Sequence, residues 1–482
     1  MKSKIKHRIK TIFSADVRSL AFFRIGLGVI LILDLINRAR DLTAHYTDYG
    51  VFPRDILNSH YTKYFISVYE LSGEFWFVLL FFIISFIFAT MLLLGYKAKL
   101  ATVISWFLLI SLQSRNPIIL QGGDILFRML FFWAMFLPLN LRWSIDSSRK
   151  NMKGMPEKVF SIGTIAVLLQ VCFLYFFTGL LKNGREWFPD GTAIYYALSI
   201  DQFATHFGLF LLNFPLILKF LSYFVIIYWF SGALLLLCPF AFFYVRMMAV
   251  LILVFLQTGM SLSLHLGLFP LIAIVAMFPL LPSEFWDFFE RKFFWQRWKK
   301  KFLNGGRNEF DFSNRWKIFI SLIGAFFILY VFIWNLTTLG LFNMPSEVET
   351  VGYLTRVDQK WDMFAPYPLK DDGWYVIPGT LANRKEIDLF KNGQEVSWDK
   401  PDFVAAIYKN QRWRKYMMNI WQKRYSYARE PFAEYLCREW NSEHLGDERL
   451  EKLEIVFMRE NTLPDYQYSE PVKVVLLEYE CR

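Results

Sequence analysis

Residues Tyr175 to Trp187 read YFFTGLLKNGREW, and the interpretation of the whole chain works outward from this stretch. An apolar run ends there on Lys182, and the turn-forming pair Asn183-Gly184 follows it. Continuous apolar sequence of this kind is typical of a helix that crosses the hydrocarbon of a membrane. We therefore expect Lys182 to lie where a membrane helix ends.

The composition places the chain among membrane proteins. Of its 482 residues, 55% are hydrophobic and 19% are aromatic, well above the usage of an ordinary soluble domain. The apolar residues are concentrated in the first part of the sequence, and the polarity of the remainder is normal. We predict a transmembrane domain over residues 1–340 and a smaller soluble domain over residues 341–482.

Apolar runs long enough to cross hydrocarbon recur along the first domain. They predict a mainly α-helical, polytopic membrane bundle of about nine spans. The region 209–243 exceeds one membrane thickness, so a short interfacial piece is expected before its span. The predicted spans are 17–36, 75–95, 100–112, 125–141, 160–181, 220–238, 247–263, 268–281 and 318–336.

Basic residues cluster in short loops between the spans, which accounts for the net charge of +11. The loops with Lys97 and Lys99, with Arg142–Lys158 and with Arg291–Arg315 fall on one side of the membrane in a nine-span count. The positive-inside rule then places the N-terminus in the cytoplasm and the C-terminal domain outside. No basic stripe interleaved with aromatics indicates nucleic acid, so the bilayer is the expected partner.

The same count brings several polar segments to the outer face. These are the Lys182 loop, the Gly122-Gly123 loop, the turn at His265 and the C-terminal domain. In that domain, short alternating strands and stretches with helical spacing predict an α+β fold. Such a domain offers a surface on which a protein partner could bind.

The cysteines favour no metal site, because no CxxC or His/Cys cluster has ligand spacing. Cys437 and Cys481 both lie in the polar C-terminal part. An oxidising compartment would allow them to form a disulfide, although two buried cysteines can equally stay unpaired.

Ionisable groups in hydrocarbon are costly, so those that a span retains are expected to face a partner or a cavity. Lys182 has two interpretations. Desolvation would lower its pKa and make it a general base, whereas a lysine at the end of a span commonly extends to the interface and does nothing more. Arg24 is a candidate partner of Asp34, or a ligand for a bound group.

Asp124 and Arg128 stand four residues apart and would share one face of a helix, where they could pair. Asp124 also follows Gly122-Gly123 and is equally well placed to cap the start of that helix. His265 and His206 fall in turns beside the apolar core, where they could assist proton transfer or act as hydrogen-bonded anchors.

Several motifs in a fixed order resemble a known family. They are FFRIGLGVILILDL, GGDILFR followed by FLP and RWSID, YFFTGLLKNGREW, and QKWDMFAP. This set resembles bacterial members of the HTTM (horizontally transferred transmembrane) superfamily, which includes the vitamin K-dependent gamma-glutamyl carboxylases. The resemblance implies a place in a bacterial inner membrane, with the C-terminal domain in the periplasm. In those enzymes the matching lysine deprotonates reduced vitamin K, so the resemblance implies that Lys182 is a catalytic base and that a vitamin K-like reduced quinone is bound.

The departures from the carboxylase pattern are specific. Leu181 stands where the carboxylases have a second lysine, no histidine occupies the region of Asp124, and Gln257 aligns with another carboxylase histidine. These differences argue against glutamate carboxylation itself.

Two hypotheses follow. The first is an enzyme, a lyase or oxidoreductase like the vitamin K-dependent carboxylase/epoxidase, that uses Lys182 on a quinol-like or other lipophilic substrate. Its substrate-positioning residues would be Arg24, Asp34, Asp124, Arg128, Gln257 and His265. The second is a non-catalytic membrane scaffold or maturation factor that binds a partner through its C-terminal domain. A transporter is disfavoured because no inverted repeat is evident.

Overall fold

A computed structural model describes residues 2–61, 66–148, 156–292 and 314–481. The central parts of two predicted basic loops, residues 149–155 and 293–313, lie outside these ranges. Within them the chain forms a helical bundle followed by a region with a β-sheet. The helices of the bundle are α1 (Lys2–Phe13), α2 (Val17–Ala39), α3 (Leu42–Tyr46), α4 (Arg54–His60), α5 (Phe75–Leu94), α6 (Ala98–Arg115), α7 (Gly122–Ala134), α8 (Ile145–Ser148), α9 (Ile162–Leu181), α10 (Ala193–Leu198), α11 (His206–Leu211), α12 (Pro215–Leu236), α13 (Phe242–Ser263), α14 (Phe269–Met277), α15 (Ser283–Lys292) and α16 (Asn314–Thr338).

Six helices in the described ranges are long and apolar enough to cross a membrane, namely α2, α5, α9, α12, α13 and α16. A seventh crossing results if α14 and its 3₁₀ extension are taken together with α15, against which they bend by 94°. The protein is thus a multi-pass membrane protein, but the predicted count of nine is not confirmed.

The difference lies in the third and fourth predicted spans, which correspond to α6 and α7. Most residues of α6 and nearly all of α7 are buried, so these helices touch protein rather than lipid along most of their surface. A buried helix needs neither the length nor the apolarity of a lipid-facing span. In contrast, the short piece expected before the 220–238 span is present as α11.

The end of the bundle that carries the N-terminus is held together by polar contacts. Asp16 caps α2 by accepting the Arg18 backbone N–H at 2.7 Å, and Arg18 also pairs with Asp287 of α15 at 2.9 Å. Two short strands, β1 (Ala15–Asp16) and β2 (Lys158–Val159), pair antiparallel beside them.

Arg24 lies at this same end. Its guanidinium donates to the carbonyl oxygens of Leu92 at 2.7 Å, Leu93 at 2.6 Å and Trp143 at 2.5 Å. The first two carbonyls belong to the last turn of α5, where they have no partner within the helix.

The C-terminal region is α+β, as the sequence predicts. Its elements are α17 (Ser346–Thr355), β3 (Asp371–Val376), β4 (Pro378–Leu381), β5 (Glu386–Asp388), α18 (Gln411–Ile420), α19 (Arg429–Glu443), β6 (Leu450–Leu463), β7 (Gln467–Tyr468) and β8 (Val472–Glu480). The antiparallel sheet is built around β6. Its residues 456–461 pair with β3, residues 450–453 with β4, and residues 452–459 with β8, while β5 pairs with β4. Cys437 of α19 and Cys481, just after β8, form a disulfide that joins the last strand to that helix.

The C-terminal region packs on the end of the bundle opposite to α1. The carbonyl of His265 accepts a hydrogen bond from Arg414, and Lys182 donates to the carbonyl of Met363. The Met363 sulfur also lies against Gly122. The Lys182 loop, the Gly122-Gly123 segment and the His265 turn therefore all contact the C-terminal region.

Close packing of α2 on α5 depends on Gly28. A Cβ atom there would lie 2.8 Å from the Cα atom of Leu93. Small residues let membrane helices approach backbone to backbone, which no larger side chain permits.

Gly28→Leu should force α2 and α5 apart and cost roughly 1–3 kcal/mol, the usual penalty of overpacking. The measurement is the temperature at which the detergent-solubilised protein loses its gel-filtration peak. Val29→Leu is the matched control, because Val29 is 41% exposed on the same helix. Equal melting of the two variants would contradict the close-packing role of Gly28.

Candidate functional site

Lys182 is the first residue after α9 and its side chain is only 7% exposed. The Nζ atom donates to the backbone carbonyl of Met363 and lies 4.7 Å from the centre of the Trp187 ring. The amine thus meets a carbonyl dipole and an aromatic face, both of which favour a positive charge. Extension to a free interface, the simpler interpretation of a lysine at a span end, does not describe this burial.

The loop that covers Lys182 belongs to the motif QKWDMFAP. Its carbonyl oxygens accept hydrogen bonds from the segment after the lysine: Trp187 Nε1 donates to Phe364 and the Gly184 N–H donates to Pro366, each at 3.0 Å. Two motifs that are separated by more than a third of the chain length therefore form one site.

The electrostatic setting of Lys182 is unusual for a lysine. Burial lowers the pKa of its ammonium group to about 7, and the carboxylate of Asp362 opposes part of that shift. Among the described residues, no carboxylate forms an ion pair with Lys182, and Asp362 is paired with Lys360 at 3.0 Å. A buried amine in this state can accept a proton near neutral pH.

A second lysine, which the sequence analysis missed, lies in the same region. Burial lowers the pKa of Lys415 on α18, Arg424 and Arg414 lower it further, and Asp362 opposes the shift. Lys182 and Lys415 therefore share Asp362 as an acidic neighbour. The only sequence signal for Lys415 is its place on the amphipathic helix α18.

Beside this site lies a buried cluster of four charged groups. Two carboxylates, Asp34 and Asp124, contact two guanidinium groups, Arg38 and Arg412, and each of these side chains is at most 10% exposed. Arg38 binds Asp34 at 2.7 Å and Asp124 at 2.5 Å, while Arg412 binds Asp34 at 2.9 Å and Asp124 at 2.6 Å. We call these residues the four-charge cluster.

The cluster is electrically balanced and extensively hydrogen-bonded. Arg38 also donates to the Tyr46 hydroxyl at 2.7 Å, and Asp124 accepts the backbone N–H of Gln121 at 2.9 Å. Buried ion pairs repay their desolvation only when such further bonds satisfy the remaining polar atoms. Asp34 and Asp124 are brought together as candidate site residues, but both are fully engaged by arginines.

The sequence interpretation of Asp124 is partly correct. Asp124 is the third residue of α7, and its side chain accepts the N–H of Gln121, so it does stabilise the start of this helix. The alternative pairing with Arg128 is wrong. Arg128 binds the Asp358 carboxylate at 2.7 Å and the Arg356 carbonyl at 2.9 Å.

The other predicted site residues are dispersed. The partner predicted for Asp34 is also wrong, because Arg24 binds carbonyl oxygens at the opposite end of the bundle and Asp34 pairs with Arg38 and Arg412.

Gln257 donates to the hydroxyl group of Tyr175 at 3.1 Å, and Tyr175 lies two turns before Lys182 on α9. His265 contributes its carbonyl to Arg414, while its ring is exposed.

Sequence reasoning also missed His45 on α3. It is buried, its ring centre lies 4.6 Å from that of Trp413, and neither ring nitrogen has a hydrogen-bond partner among the described residues. Burial lowers the pKa of His45 to about 3, although the nearby Asp41 opposes the shift. This histidine is therefore a neutral aromatic filler between bundle and C-terminal region.

The described part of the chain contains no group of three or more His, Cys, Asp or Glu residues that could hold a metal ion. The arrangement therefore offers a buried amine whose pKa lies near 7, covered by the loop that contains Met363, and a separate charge cluster that joins α18 to the bundle.

Arg412→Met should leave two buried carboxylates with one guanidinium and destabilise the protein by about 3–5 kcal/mol. The expected readouts are a lower melting temperature and faster proteolysis of the C-terminal region. The control is Arg449→Met, which removes the same charge from an exposed position. If the two variants melt together, the cluster does not hold the two regions.

A second prediction concerns pH. Below about pH 7 Lys182 is protonated in the folded and unfolded chain, and between about 7 and 10.5 only the unfolded chain holds the proton. Folding stability conferred through this group therefore rises with pH over that interval. The melting temperature of Lys182→Met minus that of the wild type should fall as pH rises from 7 to 10.

The exposed Lys385→Met is the control for this experiment, and its difference from the wild type should stay flat. Parallel curves for the wild type and Lys182→Met would show that the amine of Lys182 titrates normally.

One family model matches this chain, and its match ends before the C-terminal region. The family model described as "HTTM domain" matches residues 13–286, which contain Asp34, Asp124 and Lys182 but neither Met363 nor Arg412. The uncharacterized protein YitO of Bacillus subtilis (strain 168) is 27% identical over 111 residues, which are 22% of this chain and 35% of YitO. The match thus spans about a third of the length of that relative.

No solved structure matches the chain. The family match covers more than half of the 482 residues and includes the lysine, both cluster carboxylates and α7, which begins with Gly122-Gly123. The chain belongs to the HTTM domain family.

Proposed function

We propose that this protein is a membrane enzyme whose general base is the amine of Lys182 and whose substrate is a quinol-like or other lipophilic acid. The observation that carries the proposal is the burial of this amine without an ion-pair partner among the described residues, which lowers its pKa to about 7. At that pKa about half of the amine is neutral at pH 7, where a base works best.

The chemical step is a proton transfer. The substrate O–H bond breaks, its proton forms a new N–H bond on Lys182 Nζ, and the electron pair stays on the substrate oxygen. The resulting ammonium remains beside the Met363 carbonyl and the Trp187 ring, which stabilise it. The amine is regenerated when it passes the proton to water or to the product.

A lipophilic substrate suits the position of the base. Lys182 directly follows a helix that spans the membrane, so a molecule dissolved in hydrocarbon reaches it at the boundary. The neighbouring side chains Met363, Phe364 and Trp187 are apolar or aromatic and favour a ring system. Because Lys182 is only 7% exposed, the loop with Met363 has to move before a substrate can touch the amine.

Glutamate carboxylation is not part of the proposal. Leu181 and Gln257 stand where the resemblance to the carboxylases would require a lysine and a histidine, and Asp124 is bound by two arginines. Arg24 lies at the other end of the bundle, so it does not position the substrate of Lys182.

We further propose that the N-terminus faces the cytoplasm of a bacterial cell and that the C-terminal domain, residues 341–482, is periplasmic. The support is the concentration of basic residues at the α1 end, including Lys97 and Lys99, and the disulfide at the other end.

The alternative function is a non-catalytic scaffold or maturation factor. It is favoured by the four-charge cluster, because Arg412 fixes the C-terminal region rigidly on the bundle and would present its outer surface to a protein partner. On this alternative, Lys182 is only a structural group.

The test uses a naphthohydroquinone probe with the purified protein in nanodiscs, under anaerobic conditions. Proton transfer to Lys182 converts the bound probe into its anion, which absorbs at longer wavelength. We expect the anion band with the wild type and with Lys385→Met, and a bound but protonated probe with Lys182→Met.

The enzyme proposal is contradicted if the wild type does not bind the probe, or if Lys182→Met gives the same spectrum as the wild type. Full rescue of a deletion phenotype by Lys182→Met would in addition favour the scaffold. Mass spectrometry of lipids that co-purify with the wild type then identifies the natural quinone.

A further inference from the structure

A surface groove lies at the end of the bundle opposite to Lys182. It has a volume of about 260 Å³, is open on one side, and is lined by Ile5, Lys6, Ile9, Lys10 and Phe160. This volume is a little below the roughly 300–1,000 Å³ of sites that enclose a whole small molecule, so the groove holds only part of a larger ligand. We propose that the groove binds the headgroup and upper acyl chain of an anionic phospholipid.

The charge of the groove comes from one helix. Lys6 and Lys10 are four residues apart on α1, so their ammonium groups lie on one face. The sequence of α1, KSKIKHRIKTIF, contains no acidic residue. A phosphate seated between the two lysines therefore meets two positive charges and no opposing carboxylate of this helix.

The apolar lining has a complementary arrangement. Ile5 and Ile9 are also four residues apart, so they form a strip beside the lysines, and Phe160 after β2 closes the other side. These side chains are 51%, 43% and 44% exposed respectively, which is unfavourable in water. An acyl chain would cover them while the lysines remain at headgroup level.

The position of α1 places the groove at the membrane surface. The helix ends at Phe13, and the first membrane helix begins at Val17. At the same end, α15 turns by 94° away from α14 and its 3₁₀ extension. Phe288 and Phe289 of α15 are 57% and 40% exposed, as expected of a helix that lies in the interface.

The groove is held in a fixed geometry. Arg246 of α13 donates to the Ile12 carbonyl at 2.7 Å, and the Arg8 guanidinium lies 5.0 Å from the centre of the Phe240 ring. Both contacts bind α1 to the bundle. The lysines are thus presented on an anchored helix rather than on a free tail.

The occupant is a lipid rather than a free phosphate, because an inorganic ion would leave the exposed apolar strip uncovered. A zwitterionic headgroup gains less than an anionic one, since its own cation opposes the two lysines. Each lysine at a membrane surface contributes about a fivefold change in affinity for anionic lipid.

The experiment uses the full-length protein and a phosphatidylglycerol analogue with a photoactivatable acyl chain. After illumination, peptide mass spectrometry locates the label, and unlabelled lipids compete. We expect labelling of peptides with Ile5, Ile9 or Phe160, and stronger competition by phosphatidylglycerol than by phosphatidylcholine.

Substitutions test the groove itself. Lys6→Gln and Lys10→Gln should each weaken competition by phosphatidylglycerol about fivefold. Lys4→Gln is the matched control, because Lys4 lies on the same helix but not in the groove, and it should keep the affinity of the wild type. All of these lysines are exposed, so their removal leaves the fold intact.

Three outcomes would overturn the proposal. Equal competition by the two lipids would remove the anionic preference, and equal weakening by Lys4→Gln and Lys6→Gln would reduce the effect to general attraction by a basic helix. Competition by glycerol phosphate alone, as strong as by the lipid, would show that the apolar strip is not used.

Discussion

The contact of Arg412 with Asp34 and Asp124 is the interaction on which the rest of the structure depends. It joins α18 of the C-terminal region to α2 and α7 of the bundle, and the three side chains are at most 10% exposed. Asn410 orients the arginine, since its side chain caps α18 and also donates to Asp41 at 2.5 Å. On the same helix, Arg414 donates to the carbonyl of His265 and adds a second contact between the C-terminal region and the bundle.

Two neighbouring buried sites thus follow opposite electrostatic rules. In the four-charge cluster every carboxylate has guanidinium partners, so both signs of charge are stable and no group is available for chemistry. Lys182 is stabilised only by the Met363 carbonyl and the Trp187 ring, so burial destabilises its charged form. The cluster therefore provides rigidity, whereas Lys182, the proposed base, is a group that burial makes easier to deprotonate.

Sequence patterns identify the parts of this structure that depend on local rules. Apolar runs locate the membrane helices, alternation locates the strands, and the cap of α7 follows from Asp124. They fail where the partner is distant: pairing with Arg128, its neighbour on the helix, is one of two expectations for Asp124, which instead binds Arg412, 288 residues away. The helices α6 and α7, which correspond to predicted spans three and four, are largely covered by protein. This relaxes the requirement for a long apolar surface, and the count of nine spans is not confirmed.

The HTTM domain alone does not produce the low pKa of Lys182. Residues 13–286 supply Lys182, but the carbonyl that binds it and the loop that buries it come from residues 361–366. Without this loop the amine would face water, and a hydrated lysine keeps its ordinary pKa. The depressed pKa of Lys182 is therefore a property of the whole chain, because residues 361–366 supply the contacts that bury the amine.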